Sequence, residues 1–323
     1  MRDTFVATLL EVARRDPRVL LLTGDLGFGV LTPFANALPR QFVNVGVAEQ
    51  NLAGLATGLA LSGHIVFTYS IGNFPTLRCL EQIRNDACYH DANVKVVAIG
   101  GGFSYGALGI SHHATEDLAI MRALPAMTVY CPSDQAEAAA TTHFAYRTPG
   151  ACYLRLDKSH VSASEIAARA ITPGKARQLR EGADATIIGV GGVLQEAINA
   201  AERLSADGIE CAVLSMHTVK PIDREAILRA ARSTPVLLTI EEHTLNGGLG
   251  SAVAEVCMDS GVFPVVFRRL GLESQFSSIV GSQKYLRHCY GLDSQGIVDA
   301  IRAAAREADT RRASAVRLSR TAT

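Results

Sequence analysis

Short apolar segments alternate with helix-length segments twice over in this chain, and that alternation leaves few folds open. The first series of strand-like runs is RVLLLTGD, FVNVGVA, HIVFTYS, VKVVAIGGG, MTVYCPSD and CYLRLDK, with helical spacing at 3–14, 49–61, 77–90, 116–123 and 134–144. A softer stretch from Ser162 to Arg180, with Pro173 and Gly174, interrupts the pattern. It restarts with ATIIGVGG, ECAVLSMHTVKPID, VLLTIEEHTLNGGLG and PVVFRRLGL, and with helices near 194–206, 223–232 and 249–260. Strands separated by helices build parallel sheets covered on both faces. The expectation is an α/β protein of two domains, each a largely parallel sheet covered by helices, at 1–165 and 181–308 with a linker over 166–180. The final residues, 309–323, mix small residues and arginines without periodicity and are expected to be disordered.

A chain of 323 residues can bury two cores of this kind. Its 31 basic residues balance 31 acidic ones, so overall charge points to neither nucleic acid nor a membrane surface. No charged-then-apolar leader opens it, and no apolar run reaches the ~18 residues of a membrane span, so a cytoplasmic location is expected. The seven cysteines form no CxxC pair and read as reduced core residues.

Glycine clusters invite overreading. In LLLTGDLGFG, Gly24, Gly27 and Gly29 miss the G-x-G-x-x-G spacing of dinucleotide sites, and no G-x-x-x-x-G-K-[ST] loop occurs. AIGGG and GVGG end strands, where a plain turn is the better reading.

Two stretches carry more. VNVGVAEQNLAGLATGLALSG sets Glu49 in the first turn of a helix rich in Ala and Gly, a surface suited to close approach by another helix, chain or ligand. Taken alone, Glu49 could simply complement the helix dipole, worth about 0.3–1 kcal/mol. GGGFSYGALGISHHATED leaves a strand as a loop bearing Ser104, Tyr105, His112 and His113, then enters a helix that Thr115 can cap, with Glu116 and Asp117 at its positive end. Open α/β sheets place ligands at the carboxyl ends of their strands. No metal site is expected, because neighbouring histidines on a loop rarely ligate one ion.

Together, VGVAEQNLAGLATGLALSG, SHHATEDLAIMRALPAMTVYCPSD and EEHTLNGGLGSAVAE resemble the C-terminal half of a transketolase over about residues 3–305. That resemblance implies the pyrimidine-binding domain of thiamine-diphosphate enzymes followed by the transketolase C-terminal domain. Deoxyxylulose-phosphate synthases and β subunits of 2-oxoacid dehydrogenases share the architecture and are the alternatives. The family's diphosphate- and magnesium-holding domain, with its Gly-Asp-Gly motif, has no counterpart, since TGDLG is not that motif. The implied protein is a subunit of a split transketolase, needing an N-terminal partner subunit that supplies most of the magnesium site, and self-associating as a dimer of such pairs (α2β2).

The resemblance also assigns roles. Glu49 matches the family acid that hydrogen-bonds the pyrimidine N1′, so that the ring can take a proton from thiamine. Tyr69 and Phe74 lie where aromatic rings stack on the aminopyrimidine, with core packing an even rival for Tyr69. His112 matches the histidine that assists proton transfer at the sugar. His113, where glutamine is usual, would line the pocket, and Arg155 matches an arginine that holds the sugar phosphate, with a surface ion pair as the rival reading. Leu108 stands where transketolases carry an Asp and Gly100 where they carry a second histidine, which implies a less hydroxylated or modified sugar. In EEHTLNGGLG, Glu241, Glu242 and His243 read as a domain-packing turn. A catalytically silent regulatory or scaffold subunit is the remaining alternative, against which Glu49 speaks.

Overall fold

The computed structural model describes residues 1–162 and 170–321. Its strands are β1 (Val19–Thr23), β2 (Phe42–Asn44), β3 (Ile65–Ile71), β4 (Val94–Ile99), β5 (Thr128–Tyr130), β6 (Cys152–Leu156), β7 (Arg177–Arg180), β8 (Ala185–Gly189), β9 (Cys211–Ser215), β10 (Thr218–Lys220), β11 (Val236–Thr244) and β12 (Val266–Leu272). They form two sheets, ordered β10-β5-β6-β4-β3-β1-β2 and β12-β11-β8-β9-β7. Every described pairing is parallel except β10 with β5 and β7 with β9. β1, β4 and β6 are buried at every residue, as strands covered on both faces must be.

The helices are α1 (Arg2–Arg15), α2 (Thr32–Ala37), α3 (Glu49–Leu61), α4 (Leu80–Gln82), α5 (Asp117–Ala123), α6 (Gln135–Arg147), α7 (Leu194–Ser205), α8 (Arg224–Ser233), α9 (Leu249–Asp259), α10 (Gln283–Cys289) and α11 (Ser294–Thr321), with a π-helical stretch over Ile83–Cys88 after α4. Asp134, Asp223 and Ser282 cap α6, α8 and α10 by accepting from a backbone N–H of the first turn. Alternate residues of β1 serve opposite faces. Val19 and Leu21 join Phe5 and Leu9 of α1, whereas Leu20 and Leu22 join Leu52 and Ala56 of α3. The α3-side core continues without a break into Leu214, Ile227, Leu237 and Val253 of the second domain. Among the described residues no helix is long and apolar enough to cross a membrane. All seven thiols are free, six of them buried and Cys289 exposed.

Three expectations need correction. ECAVLSMHTVKPID is two strands: β9 stays in the second sheet, but β10 crosses to extend the first, where the Lys220 ammonium donates to the Arg122 and Leu124 carbonyls at 2.9 and 2.5 Å. The linker ends in β7, because buried Arg177 there pairs with Asp134 and Glu137 at 2.7 and 3.3 Å, while residues 163–169 lie outside the described residues. The tail is helical through Thr321, since α11 buries Ile297, Val298 and Ile301 and then propagates through Ala and Arg, both strong helix formers.

Candidate active site

The carboxyl ends of β1 to β4 open onto one place. Gly46, at φ +75°, turns the chain from β2 into α3, and the Asn44 amide ties that turn to the loop after β1. Asn44 accepts from the Asp25 and Gly46 N–H groups at 2.9 and 3.0 Å and donates to the Asp25 carboxylate at 3.0 Å. Glu49 is therefore held from two strands, with its side chain only 3% exposed. Gly24 passes close over it: a Cβ there would lie 3.3 Å from the Gly46 carbonyl and 3.7 Å from Glu49 Cγ.

The loop after β3 brings Phe74 and Arg78. Thr76 donates to the Gly72 carbonyl at 2.9 Å and the Cys79 thiol to that of Phe74 at 3.2 Å, which fixes the loop's shape. Arg78 donates to Glu49 Oε2 at 2.8 Å, and its guanidinium carbon lies 4.6 Å from the centre of the Phe74 ring. The loop after β4 brings His112, whose ring meets Phe74 edge-on at 5.2 Å. Its Nδ1 lies 2.9 Å from the Ser111 hydroxyl. Burial, reinforced by His113, lowers its pKa, so the imidazole is neutral at pH 7. Asn73 joins the two loops by donating to the His113 carbonyl at 2.8 Å.

Gly100 now has a steric reason. A Cβ there would fall 2.3 Å from the Tyr105 ring, so glycine is what lets that ring lie across the end of β4. Tyr105 sits 6.1 Å from His112 and carries the Lys158 ammonium 3.6 Å above its centre. Leu108 and Ile110, on the same loop as His112, are both exposed.

Glu49, Phe74 and His112 thus come together, and three other residues do not join them. Tyr69 is buried in the core, stacked on Phe5 at 6.3 Å, where burial pushes its hydroxyl well above the usual range. His113 turns inward against Phe103 and donates from Nε2 to the Gly106 carbonyl at 3.0 Å, leaving a buried Nδ1 without a partner. Arg155 is fully buried: it pairs with Asp117 at 2.9 Å and donates to the Ala114 and Glu242 carbonyls at 2.9 and 3.0 Å. Full burial between the two domains keeps the guanidinium out of reach of a substrate phosphate. The residues that sequence reasoning passed over are Arg78 and Lys158. Lys158 had a readable signal, because it falls beyond the end of β6 while Arg155 lies within it.

Around α5 the expected cap is absent. The Thr115 hydroxyl donates to the Glu116 carboxylate, and Asp117 at the helix start is taken by Arg155 and by the Tyr153 hydroxyl at 2.5 Å. EEHTLNGGLG packs one domain on the other. Glu241 accepts from the Leu249 and Gly250 N–H groups, both at 2.7 Å, at the start of α9. His243 Nε2 accepts from the Ala119 N–H at 3.2 Å while Nδ1 donates to the Thr244 carbonyl at 2.7 Å, which fixes its tautomer.

Residues 1–163 match the family described as transketolase, pyrimidine binding domain, and 174–297 match transketolase, C-terminal domain. The chain is 40% identical over 301 residues to the 6-deoxy-6-sulfo-D-fructose transketolase subunit SqwH of Clostridium sp. (strain MSTE9), covering 93% of this chain and 92% of the relative. It is 38% identical over 298 residues to an apulose-4-phosphate transketolase subunit of Phocaeicola vulgatus, covering 92% and 94%. A solved structure described as a split gene transketolase, inactive beta4 tetramer, superposes with a TM-score of 0.84 at 38% identity, covering 94% of this chain and 97% of that one.

Proposed function

The chain belongs to the transketolase family of transferases, and we propose that it is the C-terminal subunit of a split transketolase, passing a two-carbon ketol unit from a ketose or ketose phosphate to an aldose. The observation that carries the reading is the buried Glu49 facing the same opening as Phe74 and His112. Relatives matched along nearly their whole length are themselves named subunits, which supports a separate partner holding the diphosphate and magnesium. The face of α3 supports assembly too. Gly54 and Gly58 have nothing within 4 Å of a Cβ position, and Leu55 and Leu61 of the same helix are exposed. We take the assembly to be α2β2 in the cytoplasm.

The residues fit thiamine diphosphate: a buried acid for the pyrimidine N1′, an aromatic face beside it, and glycine where the loop passes over the acid. When bound, the cofactor supplies the nucleophilic carbon and the electron sink that ketol transfer needs. Glu49 would hold the proton at the pyrimidine nitrogen, and Phe74 would offer the ring face. His112, neutral and with Nδ1 engaged by Ser111, has Nε2 left to exchange a proton with a sugar hydroxyl. Lys158, not Arg155, is the cation placed to meet an anionic end of the substrate. Exposed Leu108 and Ile110 favour a substrate with fewer hydroxyls on that side.

The test is co-purification with a thiamine-type partner subunit, then a glycolaldehyde-transfer assay with and without thiamine diphosphate and magnesium. Transfer that needs both chains and both additions is the expected result. Decarboxylation of pyruvate would move the assignment to the synthase or dehydrogenase type, and cofactor binding without turnover of any ketose or oxoacid would make the chain a scaffold.

A further inference from the structure

We infer that Arg78 is a built-in competitor for the cofactor's aminopyrimidine, an inference that rests on the proposed function. Its guanidinium makes both contacts assigned to that ring. It donates to Glu49 Oε2 at 2.8 Å and lies over the Phe74 ring, 4.6 Å from its centre. A guanidinium is planar with N–H donors in its plane, so it can face one carboxylate and one aromatic ring as a flat nitrogen heterocycle would. One carboxylate oxygen and one ring face serve a single occupant. While Arg78 is there, the pyrimidine is not.

The pair has a reason to exist in the chain alone. A buried carboxylate facing an open site without a partner is strongly unfavourable, and Arg78 supplies the partner. Glu49 is 3% exposed and fixed at the start of α3, whereas the Arg78 side chain is 47% exposed and free to turn toward solvent. Bonds within the Gly72–Cys79 loop hold the backbone, so the exchange is a swing of one side chain. The charge of Glu49 is thus covered before the cofactor arrives and handed over when the ring enters.

Equilibrium dialysis of thiamine diphosphate with magnesium against the assembled complex tests this, comparing wild type with Arg78→Gln. Arg78→Gln is expected to bind about two- to fivefold more tightly, the range of a partly exposed ion pair. Added potassium chloride, which screens the pair, should narrow the gap between the two proteins. Equal or weaker binding by a folded Arg78→Gln complex would overturn the inference and make Arg78 a residue that positions Glu49. Should Arg78→Gln misfold, Arg78→Met carries the same test, since it removes both the charge and the planar donor while keeping an unbranched side chain, and no gain in affinity there would overturn the inference equally. A wild-type complex that binds no thiamine diphosphate defeats the proposed function itself, whereas binding by wild type with no gain in the variants defeats the competitor alone.

Discussion

Two arginine–carboxylate pairs of the first domain, Arg78–Glu49 and Arg155–Asp117, differ in what surrounds them. Arg78 and Glu49 form a pair with one half-exposed partner and an open site beside it. Arg155 and Asp117 are both fully buried, with Nη2 of the guanidinium donating to two carbonyls, one of them that of Glu242 in the second domain. The carboxylate of Glu242 in turn accepts from the Phe103 N–H at 3.0 Å, from Gln283 at 2.9 Å and from Arg287. The closed set fixes two domains to each other because any member removed leaves a buried charge uncompensated. The open pair fixes nothing that a ligand cannot replace. The proposed chemistry belongs to the second kind of place.

Substitutions should separate the two. Glu49→Gln is expected to lower ketol transfer by about 10²–10⁴-fold, as for loss of a group that moves or holds a proton in the reaction, with the circular-dichroism spectrum and unfolding midpoint nearly unchanged. Full activity of that variant in the assembled complex would remove Glu49 from the mechanism. Arg155→Met should do the reverse, costing about 3–5 kcal/mol of stability by urea unfolding because Asp117 is left buried and unpaired. A stable Arg155→Met with a raised KM for a sugar phosphate would instead return Arg155 to the substrate.

The same contrast explains what the sequence disclosed. Helical spacing sets the bounds of α3, and with them the placement of Glu49 at its start. Residue type weighed without strand position misplaces Tyr69 and Arg155. Both lie inside strands buried on both faces, β3 and β6, where even a ring hydroxyl or a guanidinium becomes core. Phe74 and Lys158 lie just beyond those strand ends, at the edge where ligands bind. The Arg78–Glu49 pair joins residues 29 positions apart through a loop whose path no periodicity encodes. β10 has only three residues, and its partner strand belongs to the other domain.

Asp157 belongs to the closed region, facing Arg155 and Glu242. Asp157 accepts from the Gly192 N–H at 2.8 Å, and its other oxygen is buried without a hydrogen bond. Burial, with Glu242 adding and Arg155 opposing, pushes its pKa up from the ordinary 3.8 to about 6. The folded state therefore binds a proton that the unfolded state has released between those two values, so this group's contribution to stability falls as pH rises toward 6 and is flat above. Asp157→Asn has no charge to bury. It should be more stable than wild type by about 3 kcal/mol at pH 7.5 and indistinguishable near pH 3.5, by chemical denaturation at both values. A difference independent of pH would mean that the carboxyl does not titrate there.

The smallest effect is expected in the open region and probes the substrate. The Lys158 ammonium rests on the Tyr105 ring, which neighbours His112, and among the described residues no buried acid holds it there. A charge-assisted hydrogen bond to an anionic substrate at such a half-wet position is worth about 1 kcal/mol. Lys158→Ala should therefore raise KM for a phosphorylated sugar about three- to tenfold with kcat little changed. The unphosphorylated sugar should show no such rise, and the urea midpoint should stay within about 0.5 kcal/mol of wild type, as for an exposed side chain. Equal KM shifts for both sugars would mean that Lys158 shapes the opening through Tyr105 without meeting the anion, and the anionic end would then have to be held by the partner subunit.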